Sequence, residues 1–311
     1  MKFPRLWLTA LLVFCQVGVF AGEAVPDQTI EVGGGTIQVE FSPGLPVADA
    51  AILAWVKKCA VAVSAFLGHF PVKHVLIQIQ PGGNDGVNNG VTYGGSKIIV
   101  HLGTTTGTDD LNHDWILTHE MFHLAFPTLP PDQIWMMEGL SDYLEPVARA
   151  QAGQLSATEV WKEMFEGLPQ GLPAADDKGL DNTHTWARTY WGGEIFWLLA
   201  DVQIRVKTDN RRGVRDAIRA ILNAGGDGSV DWKLARVLKL GDQATGTTVL
   251  TDLHDQLGPQ PGTVNLPDLW AKLGVSERND LIHFNDQAAW AKIRVAITAL
   301  PPTAIFPENL F

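Results

Sequence analysis

The segment His119-Glu120-Met121-Phe122-His123 sets two imidazoles four positions apart with a carboxylate directly after the first. On a helix, positions i and i+4 share one face, so both rings can converge on a single cation while Glu120 stands beside it. A catalytic zinc takes three protein ligands and keeps a fourth position open for water, which calls for one more donor on a neighbouring element. Glu138 is that candidate, because Pro127, Pro130 and Pro131 interrupt the chain after His123 and allow a helix, a turn and a second helix that packs back. Asp142, one helical turn further on, shares the face of Glu138 and is placed to accept a hydrogen bond from the imidazole of His119. Such a set supports metal-assisted hydrolysis of an amide, in which zinc lowers the pKa of a water and Glu120 takes its proton and passes it to the departing amine. A closed structural site fits less well, since those are built from four Cys or His ligands.

These residues need two helices to carry them. Apolar periodicity predicts one over 110–125, holding His119 and His123, and one over 132–145, holding Glu138, with Pro146 ending or kinking the second. Further helices are predicted over 157–166, 184–206, 212–223, 246–257 and 286–299, with a flexible loop over 167–179 and an irregular tail from 301. Ahead of them, 29–41 reads as a hairpin around Gly33-Gly34-Gly35. A helix over 47–67 follows, burying Ile52, Val56, Cys59, Val63 and Phe66. Two strands come next, 75–79 and Lys97–Leu102, separated by a Gly- and Asn-rich loop over 81–95. Strand Lys97–Leu102 is either a cleft edge that pairs with an extended substrate or an ordinary sheet edge. The fold class is α+β.

The 311 residues are 46% hydrophobic and 18% charged, enough for a substantial core. Residues 1–21 carry Lys2 and Arg5, an apolar run over 6–20 and small residues around Ala21, the layout of a secretory signal peptide cleaved after Ala21. The run is short for a membrane span, so an exported protein, periplasmic or extracellular and without a stable membrane anchor, is expected. Cys15 lies inside the apolar run behind the bulky Phe14, which argues against lipidation. Without the leader only Cys59 remains, and no internal disulfide can form. The formal charge of −11 repels phosphate backbones and excludes nucleic acid as a partner class.

The pair of histidines followed by Glu138 resembles the gluzincin metallopeptidases, and Glu138-Gly139-Leu140-Ser141-Asp142 is similar to thermolysin. Trp135 to Tyr143 resembles the Trp-x-x-Glu-Gly-x-x-x-Tyr segment of gluzincin aminopeptidases. Thr189-Tyr190-Trp191-Gly192-Gly193, running into Leu198 to Arg205 and followed by Val214 to Arg219, looks like the Tyr-bearing helix of the glycyl aminopeptidase family. The likeness covers about residues 95–275, without that family's large N-terminal β domain or its PDZ domain, as in a minimal member. It implies a two-lobed, thermolysin-like zinc peptidase domain, an N-terminal α+β lobe with the active-site helix and a mostly helical C-terminal lobe. It further implies one Zn2+, a peptide or protein substrate, and the Tyr190 hydroxyl as oxyanion donor with His184 as the other candidate.

The chain then divides into the leader 1–21, an α+β part 22–105, a metal-binding helical part 106–300 and the tail 301–311. Gly192-Gly193 inside a helix points to close backbone approach, beneath the metal helix and carrying Tyr190 toward the zinc. Tyr143, five positions past Glu138, faces away from the metal and is structural. His101 and His113 are read as solvated or locally bonded. No Gly-Ala-Met-Glu-Asn motif is present and Tyr93-Gly94-Gly95-Ser96 has no acid at hand, which leaves aminopeptidase and endopeptidase both open. A catalytically inactive binding or scaffold protein on the same fold is the alternative, opposed by the retention of Glu120, which zinc binding does not require.

Overall fold

The computed structural model describes residues 28–299; the leader and the tail from 301 lie outside them. Strands β1 (Gln28–Val32) and β2 (Gly35–Phe41) form the hairpin expected around the three glycines. Helix α1 (Asp49–Leu67) crosses back over the sheet so that β3 (His74–Pro81) lies parallel to β2. Strands β4 (Val87–Tyr93) and β5 (Lys97–Leu102) complete a five-stranded sheet of order β1-β2-β3-β5-β4, in which β5 is parallel to β3 and β4 antiparallel to β5.

Alternation decides which side of this sheet is core. Ile37, Val39, Ile77, Ile79, Ile98 and Val100 are all fully buried, while their neighbours in sequence are not. Helix α1 is long and apolar enough to cross a membrane by composition. Here its apolar residues are spent on the protein interior, with Ile52, Val56, Cys59 and Val63 buried.

The predicted helix over 110–125 is two helices, α2 (Thr108–His113) and α3 (Ile116–His123). Asp114 causes the break: its carboxylate accepts from the backbone N–H groups of Ile116 and Leu117 at 2.9 and 3.0 Å, satisfying donors at the start of α3. Helix α4 (Ile134–Gln151) also departs from expectation, because it runs on through Pro146 for five more residues. Pro146 is buried and the Glu145–Arg149 ion pair spans it one turn apart, so tertiary packing holds a turn that proline alone would break.

The remaining chain is mostly helical: α5 (Ala157–Gly167), α6 (Gly193–Lys207), α7 (Val214–Asn223), α8 (Leu234–Thr245), α9 (Val249–Leu257), α10 (Leu266–Leu273) and α11 (Ala291–Thr298). A short hairpin of β6 (Val275–Arg278) and β7 (Leu281–Phe284) separates the last two. The molecule is thus two-lobed, an α+β lobe with the sheet and α3, and a helical lobe. Asp201 ties the second lobe to α4, accepting from the Tyr143 hydroxyl at 2.7 Å, Arg205 Nε at 2.9 Å and the Val214 N–H at 2.9 Å.

Candidate metal centre

Helix α3 presents His119 and His123 on one face, and α4 packs across it with Glu138 opposite them. His119 Nε2 and His123 Nε2 lie 3.2 Å apart, and Glu138 Oε2 lies 3.2 Å from the first and 3.3 Å from the second. A regular tetrahedron with zinc–ligand bonds of about 2.0–2.1 Å has edges of roughly 3.3–3.4 Å. The three atoms therefore mark one face of a zinc-sized tetrahedron.

The chemistry of the donor set agrees with the geometry. Asp142 Oδ1 stands 2.9 Å from His119 Nδ1, and the Ser141 hydroxyl 3.4 Å from His123 Nδ1. Both imidazoles are thus faced by α4 on their outer nitrogens and turn their Nε2 lone pairs inward on a carboxylate. Acceptors this close repel one another unless a positive charge stands among them. Burial opposes charge on His119, yet the hydrogen bonds and negative charges of Asp142 and Glu138 outweigh it and push its pKa up to about 10. Glu138 is likewise penalised by burial, and bonds from both histidines hold it well below the usual carboxylate range. The cluster demands a cation and fits one zinc ion.

Glu120 points to the same centre, with its carboxylate, His119 and His123 offering atoms all within 4.8 Å of one another. Strand β4 holds it. The Thr92 hydroxyl is 2.7 Å from Glu120 Oε2 and 2.8 Å from the Glu120 carbonyl oxygen. That contact needs β4 to lie close on α3, which Gly90 permits: a Cβ there would stand 2.6 Å from Glu120 Cγ. Thr92 belongs to no sequence pattern with known chemistry and falls within the stretch read as a loop; Ser141 lies within the Glu138 to Asp142 run, but that pattern alone assigns it no contact with His123.

Tyr190 arrives by a different device. Residues Arg188–Gly192 form a single π-helical turn ahead of α6, a distortion that interrupts regular helical geometry. Its ring stacks near His119 with centroids 6.4 Å apart and also on Trp186 at 5.3 Å. Burial, and then the negative charges of Glu138, Asp142 and Glu120, raise its pKa, so the hydroxyl stays protonated and can donate. The glycine pair does approach another backbone closely, but the partner is α4 rather than the metal helix: a Cβ on Gly193 would collide with the Trp135 carbonyl and Gly139.

His184, the other donor candidate, is exposed and is not among the residues that line the cleft, whereas Tyr190 is. His101 and His113 also stand away from the metal cluster, and His113 Nδ1 is 2.8 Å from the Asp109 carbonyl. Tyr143 is fully buried against Asp201, as its position on the helix implied. Strand β5 is interior to the sheet; the strand that borders the cleft is β4. All the converging groups line one cleft of about 630 Å³, with Trp115 and Trp186 exposed along it.

No protein-family model matches the chain, and no curated protein matches it. Among solved structures, an aminopeptidase N family protein from Idiomarina loihiensis is similar over 80% of this chain and 49% of its own, at 16% identity and a TM-score of 0.63. An M1 zinc metallopeptidase from Deinococcus radiodurans, bound to a Tyr-Ser-Ala substrate, covers 77% of this chain and 53% of its own, at 14% identity and a TM-score of 0.52. The chain spans about half the length of these proteins. It has the two-lobed fold of the M1 gluzincin peptidases, which is a coarser relation than the glycyl aminopeptidase family that Thr189 to Arg205 resembles.

Proposed function

We propose that the protein is a zinc-dependent peptidase, with His119, His123 and Glu138 as ligands and Glu120 as general base. The observation that carries this reading is the 3.2–3.3 Å triangle of ligand atoms with a further carboxylate beside it. A structural ion needs no such extra carboxylate.

When bound, zinc supplies Lewis acidity and a water acidified to near neutral pH. The chain's own residues do the rest. Glu120 takes the proton of the attacking water and returns it to the departing amine, its carboxylate aimed by Thr92. Tyr190 donates its hydroxyl hydrogen toward the oxygen that becomes negative when the carbonyl is attacked. Asp142 and Ser141 hold the imidazoles in the tautomer that leaves Nε2 free for the metal. The edge of β4, lined along the cleft from Asn88 to Thr92, offers main-chain groups to an extended peptide. Export through the leader 1–21 places this activity in the periplasm or outside the cell. The glycyl aminopeptidase resemblance favours trimming of chain ends among the possible peptidase activities.

Zinc content and hydrolysis of a broad peptide library should be measured for wild type and for Glu120→Gln. The proposal expects one zinc in both proteins and turnover only in the wild type. Zinc-loaded wild type that cleaves nothing would favour a binding scaffold on the same fold.

A further inference from the structure

The π-helical turn Arg188–Gly192 that carries Tyr190 is fixed at both ends, by different means. At its far end the backbone is wedged. A Cβ on Gly193 would collide with the Trp135 carbonyl of α4, and one on Gly171, in the 3-10 turn Leu168–Gly171, would collide with the backbone of Trp191 and Gly192. At its near end the hold is ionic. Arg188 is 7% exposed and its Nε lies 2.7 Å from Asp177 Oδ2, close but out of line for a hydrogen bond, while Nη2 donates to Asp177 Oδ1 at 3.4 Å. Nη1 donates to the Gly171 carbonyl, so one guanidinium ties the turn to two points of the preceding segment. Asp177 is itself anchored. Its Oδ1 accepts from the Gly179 N–H at 2.8 Å, and the N–H groups of Leu180 and Asp181 donate to the carbonyls of Leu257 and Gly258 at the end of α9.

We infer that the buried Arg188–Asp177 pair is a positioning device for Tyr190, locking the π-helical turn in the register that brings the tyrosine ring beside His119. This rests on the peptidase reading, which makes Tyr190 the oxyanion donor, and it names residues that act on the reaction through that donor alone. Neither Arg188 nor Asp177 lines the cleft, so neither meets a substrate. A buried ion pair adds little net stability over apolar residues of like size, and its best-attested use is to fix one arrangement among several. The arrangement at stake is the turn. A π turn is an α-helix with one residue inserted, and losing it rotates the chain ahead by about 100° around the axis at 3.6 residues per turn. Because the Gly193 contact holds α6 against α4, that rotation would fall on the residues ahead of it, Tyr190 among them. The other support of the ring is its stack on Trp186, which is itself 63% exposed and gives no buried backing.

Two measurements test this on the full chain. The sequence holds three tyrosines, Tyr93, Tyr143 and Tyr190, so labelling with 3-fluorotyrosine gives three fluorine NMR signals, each assigned by its phenylalanine variant. In Arg188→Met and in Asp177→Asn the Tyr190 signal should shift or broaden, while those of the exposed Tyr93 and the buried Tyr143 stay in place. This readout needs neither zinc nor turnover. A Tyr190 signal unchanged in both variants overturns the proposal, and so does joint movement of all three signals in both, which would make the pair a general support of the fold. The second measurement is a double-mutant cycle on a peptide substrate. Arg188→Met should lower kcat at least tenfold in the chain with Tyr190, with KM within about twofold, and less than about twofold in the Tyr190→Phe background, where the hydroxyl it serves is already gone. An equal fall in both backgrounds overturns it. If the wild type cleaves nothing, the peptidase reading fails, and the fluorine signals still decide whether the pair holds Tyr190.

Discussion

Replacing Thr92 by Val isolates the hydrogen bond that aims Glu120. Valine keeps the β-branched shape and the strand propensity of the site and removes only the hydroxyl, which stands 2.7 Å from Glu120 Oε2 and 2.8 Å from its carbonyl oxygen. A hydrogen bond to a charged group contributes about 1.5–3 kcal/mol. If most of that goes into holding the carboxylate where it meets the water's proton, kcat should fall by about 10- to 100-fold at 1.36 kcal/mol per decade. KM should change little, because Thr92 holds the base rather than the peptide. Steady-state hydrolysis with zinc content measured on the same samples decides the matter, and Thr92→Ser, which restores a hydroxyl, should recover most of the rate. A Thr92→Val enzyme with full zinc and unchanged kcat would refute the argument, and failure of Thr92→Ser to recover activity would assign Thr92 a packing role instead.

The other predictions concern the supports of the site. Asp142→Ala should weaken zinc affinity by about 10- to 100-fold in a competition titration with a chelator, because His119 loses the partner that fixes its tautomer; unchanged affinity would remove Asp142 from that role. Tyr190→Phe should lower kcat by about 100-fold or more, as loss of an oxyanion donor does, while zinc binding is kept. Asp201→Ala should cost about 3–5 kcal/mol in denaturant unfolding, since Arg205 and the Tyr143 hydroxyl are left buried without their acceptor. Burial and neighbouring carboxylates raise the pKa of Glu194, so the folded state holds a proton there that the unfolded state releases above about pH 4.5. Stability on this account falls as pH rises from there toward the folded-state pKa, and Glu194→Gln should gain melting temperature relative to wild type between pH 5 and 8. A difference independent of pH would contradict it.

The metal cluster was legible in the sequence because its geometry is local. Two histidines four apart on a helix must share a face, and a following helix had one glutamate with an aspartate a turn beyond it. What the sequence hid was set by pairing across the fold. Strand β4 contains Asn88-Asn89-Gly90, poor strand formers, and exists because β5 supplies its hydrogen bonds and α3 its neighbour. Thr92 was invisible for that reason, and without β4 in view β5 reads as a sheet edge, whether along a cleft or not, although it is interior to the sheet. The break at Asp114 went unseen because a capping carboxylate ahead of an apolar run looks like one more polar residue within a longer helix. Helices α8 and α10 were not predicted either; α10 has only eight residues, whereas α8, at 12, is longer than the predicted α7 and α9, so length does not account for it.

The central claim is that His119, His123 and Glu138 hold a zinc ion that Glu120 works beside. Metal analysis of the purified protein, alongside His123→Ala and Glu120→Gln, tests it most directly when each sample is also assayed on the same peptide set. The account predicts close to one zinc per chain in wild type and in Glu120→Gln, little in His123→Ala, and hydrolysis in the wild type alone. Full zinc occupancy in His123→Ala, or peptide hydrolysis by zinc-loaded Glu120→Gln at the wild-type rate, would contradict it.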